Sequence, residues 1–266
     1  MGQPLVISAS RRTDIPAFFA GWFGAALTAG SAEYEAPYTG KTVSVPLARE
    51  DVAAFVFWTR NPVPFLPVLS RLERAGYPSI FQYTVTGLPK ALEPLVPPMD
   101  EAVRSFSDLS RRIGPERVLW RFDPILPGED PREVVARFDA LSAKLAGMTS
   151  RCTVSLAHPY RKSVRATRET PAIWEPSERM RDAAEEILRM GAQRGIRVVS
   201  CCSPRLAAWG VPAAACINGE LLRRIFPGSG IPVGVAPGRT GCLCSAARDI
   251  GSYRTCRHGC RYCYAA

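Results

Sequence analysis

Six short apolar runs, each followed by polar residues and then by an amphipathic stretch, limit what this chain can fold into. They are PLVISAS, AAFVFWT, SIFQYTVTG, VLWRFDPILPG, CTVSLA and IRVVSCC. Runs nearly continuous in β-branched and aromatic residues suit strands buried on both faces. The stretches between them, such as DEAVRSFSDLSRRIG and DPREVVARFDALSAKLAG, have helical spacing. They begin near Asp, Ser or Pro and stop at Gly30, Gly76, Gly114, Gly147 and Gly195, as capping chemistry requires. This alternation predicts an α/β fold: a partial or complete parallel (β/α) barrel of about six βα units, with an open doubly wound sheet as the alternative. No linker divides the chain. A barrel core over residues 1–200 and a Cys-rich, iron–sulfur-binding tail over 201–266, packed on the same domain, are expected.

The opening MGQPLVISAS lacks a charged segment leading into a long apolar one, and no apolar run reaches the roughly 18 residues that span a bilayer. A cytoplasmic protein with no membrane partner is expected. In that compartment nine cysteines read as thiols rather than disulfides, and a cluster of them as a metal or redox site. The 34 basic residues exceed the 24 acidic ones, for a net charge of +10. Nucleic acid is thus a possible partner, although the arginines are scattered and form no dense run.

Parallel βα folds bind ligands at the C-terminal ends of their strands. Those ends here carry Arg12 and Asp14, then Thr59, Arg60 and Asn61, then Thr84 and Thr86, then Arg121 and Asp123. Asp14 and Asn61 also suit helix caps, and that reading stays open. Arg121 and Asp123 flank Phe122, so both face one side of a strand. There they either hold a ligand or pair with each other.

Cys256, Cys260 and Cys263 are spaced C-x3-C-x2-C. Thiolates are soft ligands that suit zinc or iron–sulfur clusters. Structural zinc commonly takes two close pairs of ligands, whereas three thiols in one compact loop can hold three corners of a cubane cluster and leave the fourth iron open. With Tyr262 just before the last cysteine, this loop resembles the cluster loop of radical S-adenosyl-L-methionine (SAM) enzymes. The resemblance implies a [4Fe-4S] cluster on Cys256, Cys260 and Cys263, SAM on its open iron, and an electron donor such as ferredoxin or flavodoxin. It also implies a 5′-deoxyadenosyl radical acting on a substrate, small molecule or nucleic acid. That superfamily carries the loop after its first strand; in this chain it follows all six predicted strands. The segments RFDPILPG and FWTRNP resemble strand ends of spore-photoproduct-lyase-like members. Arg121, Asp123, Thr59, Thr84, Thr86 and Tyr262 are accordingly expected around the cofactor, and Arg12, Asp14, Arg60 and Asn61 around the substrate.

SASRRTDIPAF, FWTRNP, QYTVTG, WRFDPI and DIGSYRTCRHGCRYCYA together resemble a bacterial family known as domain of unknown function 1848. That resemblance places Cys201, Cys216, Cys242 and Cys244 at a second iron–sulfur cluster, or equally at a zinc, with Cys202 able to replace Cys201. Buried unligated thiols are the plain alternative for Cys201, Cys202 and Cys216. A zinc-binding module for nucleic acid or a partner protein is the competing reading of the whole tail.

Overall fold

The computed structural model describes residues 3–37, 39–169, 171–174, 177, 179–236 and 241–265. All six apolar runs are strands. The order is β1 (Leu5–Ala9), α1 (Ile15–Phe18), α2 (Ala20–Ala29), β2 (Ser31–Glu35), β3 (Thr42–Pro46), β4 (Val52–Thr59), α3 (Leu66–Arg74), β5 (Ser79–Thr84) and α4 (Met99–Ile113). Then follow β6 (Val118–Ile125), α5 (Pro131–Leu145), β7 (Arg151–Leu156), α6 (Arg161–Ala166), α7 (Met180–Gln193), β8 (Arg197–Ser200), α8 (Pro204–Ala208), α9 (Gly219–Ile225) and β9 (Arg248–Asp249). The five glycines expected to stop helices all have positive φ, between 68° and 94°. That conformation is nearly free of strain only for glycine.

Seven strands form one parallel sheet in the order β8-β7-β6-β5-β4-β1-β9. From β1 to β8 each new strand joins on the same side. Right-handed crossovers therefore put every crossover helix on one face. Phe23 of α2, Leu72 of α3, Phe106 of α4, Phe138 of α5 and Ile187 of α7 share one core with Phe55, Phe57, Phe81, Trp120 and Val154 of the strands. The doubly wound alternative is thereby excluded, since it needs crossover helices on both faces. The sheet has two ends, at β8 and β9, so the arrangement is a barrel-like open sheet rather than a complete barrel.

The opposite face has its own core. Val6, Ala54, Val56, Ile80 and Leu119 point there, and Cys201, Cys216, Ile217, Leu222, Ile231 and Cys244 cover them. Cys201 and the segments around residues 215–231 and 242–247, with α9 among them, thus cover this face in place of crossover helices and explain why the strands are apolar on both faces. The strands β2, β3 and β9 and the short helices α6, α8 and α9 had no counterpart in the sequence reading. The antiparallel hairpin β2-β3 fills the connection between β1 and β4. The two-residue strand β9 pairs parallel with β1, Ile7 with Arg248 and Ser8 with Asp249. No helix of the described residues is long and apolar enough to cross a membrane.

Candidate metal and cofactor site

β9 delivers the residues after it to the end of the sheet where the parallel strands finish. Asp249 fixes that delivery. Its carboxylate accepts hydrogen bonds from Ser8 Oγ at 2.5 Å, Ser10 Oγ at 2.6 Å and Arg11 N at 2.9 Å. Two residues on, Gly251 packs against β1's exit so closely that a Cβ there would lie 2.1 Å from Ser10 Oγ. Arg12 donates to the Gly251 carbonyl at 3.1 Å and lies over the rings of Tyr34 and Tyr253. Of the residues expected around the substrate, Arg12 therefore clamps the tail.

Asp14 and Arg60 hold the thiol loop. Asp14 Oδ1 accepts from Ala17 N at 2.9 Å and caps α1, as the sequence suggested. Its Oδ2 accepts from Arg60 N at 2.8 Å and lies 2.8 Å from His258 Nε2. The His258 ring is buried against Phe18, with centroids 4.6 Å apart. His258 stands between Cys256 and Cys260, and its carbonyl accepts from Leu95 N at 3.2 Å. Arg60 Nη2 donates to Tyr262 Oη at 2.5 Å, and its Nη1 lies 2.9 Å from Glu93 Oε1. Tyr262 also donates to Glu93, which accepts from Thr86 Oγ1 at 2.7 Å. Glu93 is a site residue that sequence reasoning did not assign. Glu93 lies in the long β5–α4 connection, where nothing in the spacing marks it.

Seven of the residues expected at the site come together: Asp14, Arg60, Thr84, Thr86, Tyr262, Cys260 and Cys263. Leu88, Leu92, Val96 and Leu126 pack as an apolar floor with Cys260 and Tyr262. A cavity of about 80 Å³ opens beside them, lined by Arg60, Thr84, Thr86 and Glu93 among others. Burial drives the Cys260 thiol up to about 12, against the pull of Arg60. Burial also raises Cys256. For Arg60 burial disfavours the charge, but Tyr262, Glu93, Cys260 and Cys263 together outweigh it and hold the guanidinium charged. Asn61 and Thr59 are placed otherwise. Asn61 N donates to Thr59 Oγ1 at 3.0 Å, and Asn61 Oδ1 accepts from Val63 N at 3.1 Å, so both form the turn after β4.

Arg121 belongs to a second group, on the sheet face away from the helices. Its Nη1 donates to Cys216 Sγ at 3.3 Å and its Nη2 to Asp123, which also accepts from Ser155 Oγ. Hydrogen bonds from the Cys201 and Cys244 thiols, with Arg121 behind them, overcome burial and hold Cys216 well below the ordinary thiol range. Cys201 and Cys244 are pushed up by the same hydrogen bonds and by burial. Cys242 is half-buried beside Cys244, and Cys152 lies in the helical core. Gln82 Nε2 and Arg151 Nη2 donate to the carbonyls of Cys216 and Ala215, at 2.7 and 2.9 Å. Gln82 Oε1, Arg151 Nε and Thr153 Oγ1 nearby are buried with no hydrogen-bond partner among the described residues.

None of the nine cysteines is in a disulfide. Among the described residues, no three His, Cys, Asp or Glu side chains converge as ligands of a single metal ion. A lone tetrahedral zinc needs its sulfurs about 2.3 Å from one centre. A cluster is bound at its corners and spreads its thiolates. Cys260 and Cys263 over an apolar floor, with the buried Arg60 guanidinium beside them and Cys256 in the same loop, are residues that could hold such an anionic group.

The fold and this site define an α/β protein with a one-sided helical layer, its strand ends roofed by a three-thiol loop. The chain belongs to the family described as Domain of unknown function (DUF1848), whose model matches residues 6–265. No curated protein and no solved structure matches it.

Proposed function

We propose that this protein is a radical SAM enzyme whose cluster is held by Cys256, Cys260 and Cys263. One observation carries the reading. Counted across the sheet rather than along the chain, β9 comes first, before β1, β4, β5, β6, β7 and β8. A loop expected after the first strand of a barrel therefore follows the first strand in space, although it comes last in sequence. The parallel strand ends are also where such folds place their chemistry.

Bound there, a [4Fe-4S] cluster and SAM supply reductive cleavage of the cofactor to a 5′-deoxyadenosyl radical. The chain's own residues do the rest. Asp14 orients the loop through His258. Arg60 balances thiolate charge and keeps Tyr262 and Glu93 in register. The apolar floor excludes water. Thr84 and Thr86 offer hydroxyls at the cavity mouth for SAM. Arg121 and Asp123 sit with the inner-face thiols, so in this reading they serve the second group rather than SAM. Cys201, Cys216 and Cys244, with Cys242 adjacent, would hold that group, a second cluster or a zinc. The unpartnered polar atoms of Gln82, Arg151 and Thr153 support a ligand there, since buried polar groups are normally paired.

Anaerobically purified protein should be brown, with about eight irons per chain if both sites fill as cubanes. With dithionite it should turn SAM into 5′-deoxyadenosine. The triple variant Cys256→Ala, Cys260→Ala, Cys263→Ala should make none. Equal turnover by that variant would sink the assignment. Colourless protein carrying stoichiometric zinc would favour the second reading, a zinc-binding module.

A further inference from the structure

The positive charge of this chain is concentrated. Three segments follow directly on parallel strands: residues 10–14 after β1, 157–168 after β7 and 251–265 after β9. They hold nine of the 34 basic residues and one of the 24 acidic ones, a net +8 out of the chain's +10. The single acid within them, Asp14, is buried; at their margins Glu169 lies 3.7 Å from Arg261, and Asp249 lies 3.8 Å from Arg11 and 3.9 Å from Arg12, leaving the other six basic side chains to set the charge of the rim. Arg254, Arg257 and Arg261 are exposed on the thiol loop, and Arg161, Lys162, Arg165 and Arg168 on and just beyond α6. The arginines looked scattered in sequence because the segments that carry them are far apart in the chain and adjacent only at the strand ends.

Aromatic rings run through the same rim. His158 and Tyr160 have centroids 4.6 Å apart, Tyr160 and Tyr264 5.8 Å, and Tyr264 and Tyr253 6.4 Å. Arg12 continues the line over Tyr253 at 5.5 Å and Tyr34 at 5.7 Å. Tyr160, Tyr253 and Tyr264 are 37%, 37% and 45% exposed. These rings are not filling a core.

We infer that the rim around the thiol loop binds single-stranded nucleic acid, with phosphates over the arginines and bases against the tyrosine line. A charged groove interleaved with aromatic platforms is how unpaired strands are held without sequence preference. A paired duplex hides the base faces that such rings need. An acidic protein would use the charge but not the ring line. The inference deepens the proposed function, on which it rests for any chemistry done on the strand. Binding itself stands apart from that chemistry.

Fluorescence anisotropy tests it, using the full chain and labelled oligonucleotides of about 12 nucleotides, as DNA and as RNA. Base-free polyphosphate serves as competitor. Both oligonucleotides, or one of them, should bind far better than polyphosphate. Tyr160→Leu with Tyr253→Leu should weaken that binding at least about tenfold, while Tyr160→Phe should hold it within about twofold. Changing Arg161, Lys162 and Arg165 to Gln should flatten the log–log salt slope by about 2. Polyphosphate bound as well as the oligonucleotide, with no response to Tyr160→Leu, would make the rim a general anion surface and overturn the inference. So would no binding at about 50 mM salt. Oligonucleotide binding by a protein that never makes 5′-deoxyadenosine would sink the proposed chemistry and leave this inference standing.

Discussion

Asp14 does separate work with each carboxylate oxygen. One caps α1 and the other ties the end of β4 to His258 in the thiol loop. Asn at this position still caps, but one of its two side-chain atoms becomes a donor facing donors. Asp14→Asn should therefore lower stability by about 1–3 kcal/mol, the cost of leaving a buried donor unmet. Urea unfolding measures it, and an unchanged midpoint would deny the tie. Arg121 is comparable. Its guanidinium lies between Cys216 and Asp123, nearly out of solvent. Arg121→Ala strands a carboxylate and should cost roughly 3–5 kcal/mol. Adding Asp123→Ala should recover part of that loss, because the stranded charge goes too. A double-mutant cycle with purely additive costs would show that the two residues are not coupled.

β9 is two residues long and would be marginal on backbone pairing alone. Asp249 and the close seat of Gly251 make it an anchor. In Gly251→Ala the new methyl meets Ser10 Oγ and Cβ, part of β1's own exit, so the tail rather than the sheet must move. The expected result is intact far-UV circular dichroism with much faster proteolysis between residues 251 and 265. Wild-type cleavage rates would show that Ser10 gives way instead. None of this could be read ahead, because β9's hold is made by side chains more than 200 positions apart in the chain. What was legible was local: six buried strands from their apolar runs, five helix ends from their glycines, and the thiol loop from its spacing. That Arg121 and Asp123 share a face followed from alternation, but what they face did not. Nor was β2-β3 legible, since its half-exposed strands lack a continuous apolar run.

One sheet here has two unlike covers, crossover helices on one side and on the other a layer from the chain after β8 that includes α9 and the inner-face cysteines. A chain stopped after residue 247 keeps both covers and should fold, but it leaves β1 as an edge strand. Bare edges invite pairing with other chains. The truncated protein should therefore show native-like circular dichroism yet self-associate in sedimentation, and a clean monomer would mean that the edge is protected in another way. Metal should matter to the whole as well. If ligand groups join the tail to the strand ends, protein stripped anaerobically of its metal should melt at a lower temperature than loaded protein, because binding only the folded state stabilises it. Identical melting would confine the thiols to local roles.

The placement of β9 also has a consequence for the order in which the molecule is made. The ribosome completes β1 and β4 through β8, and the layer over residues 201–247, before it reaches β9 and the three loop thiols. In a chain with this loop after its first strand, the thiols would emerge while most of the sheet did not yet exist. Here they are made after the strands and the layer that β9 joins. In the proposed reading, loading of the loop would therefore follow synthesis of the rest of the sheet rather than seed it.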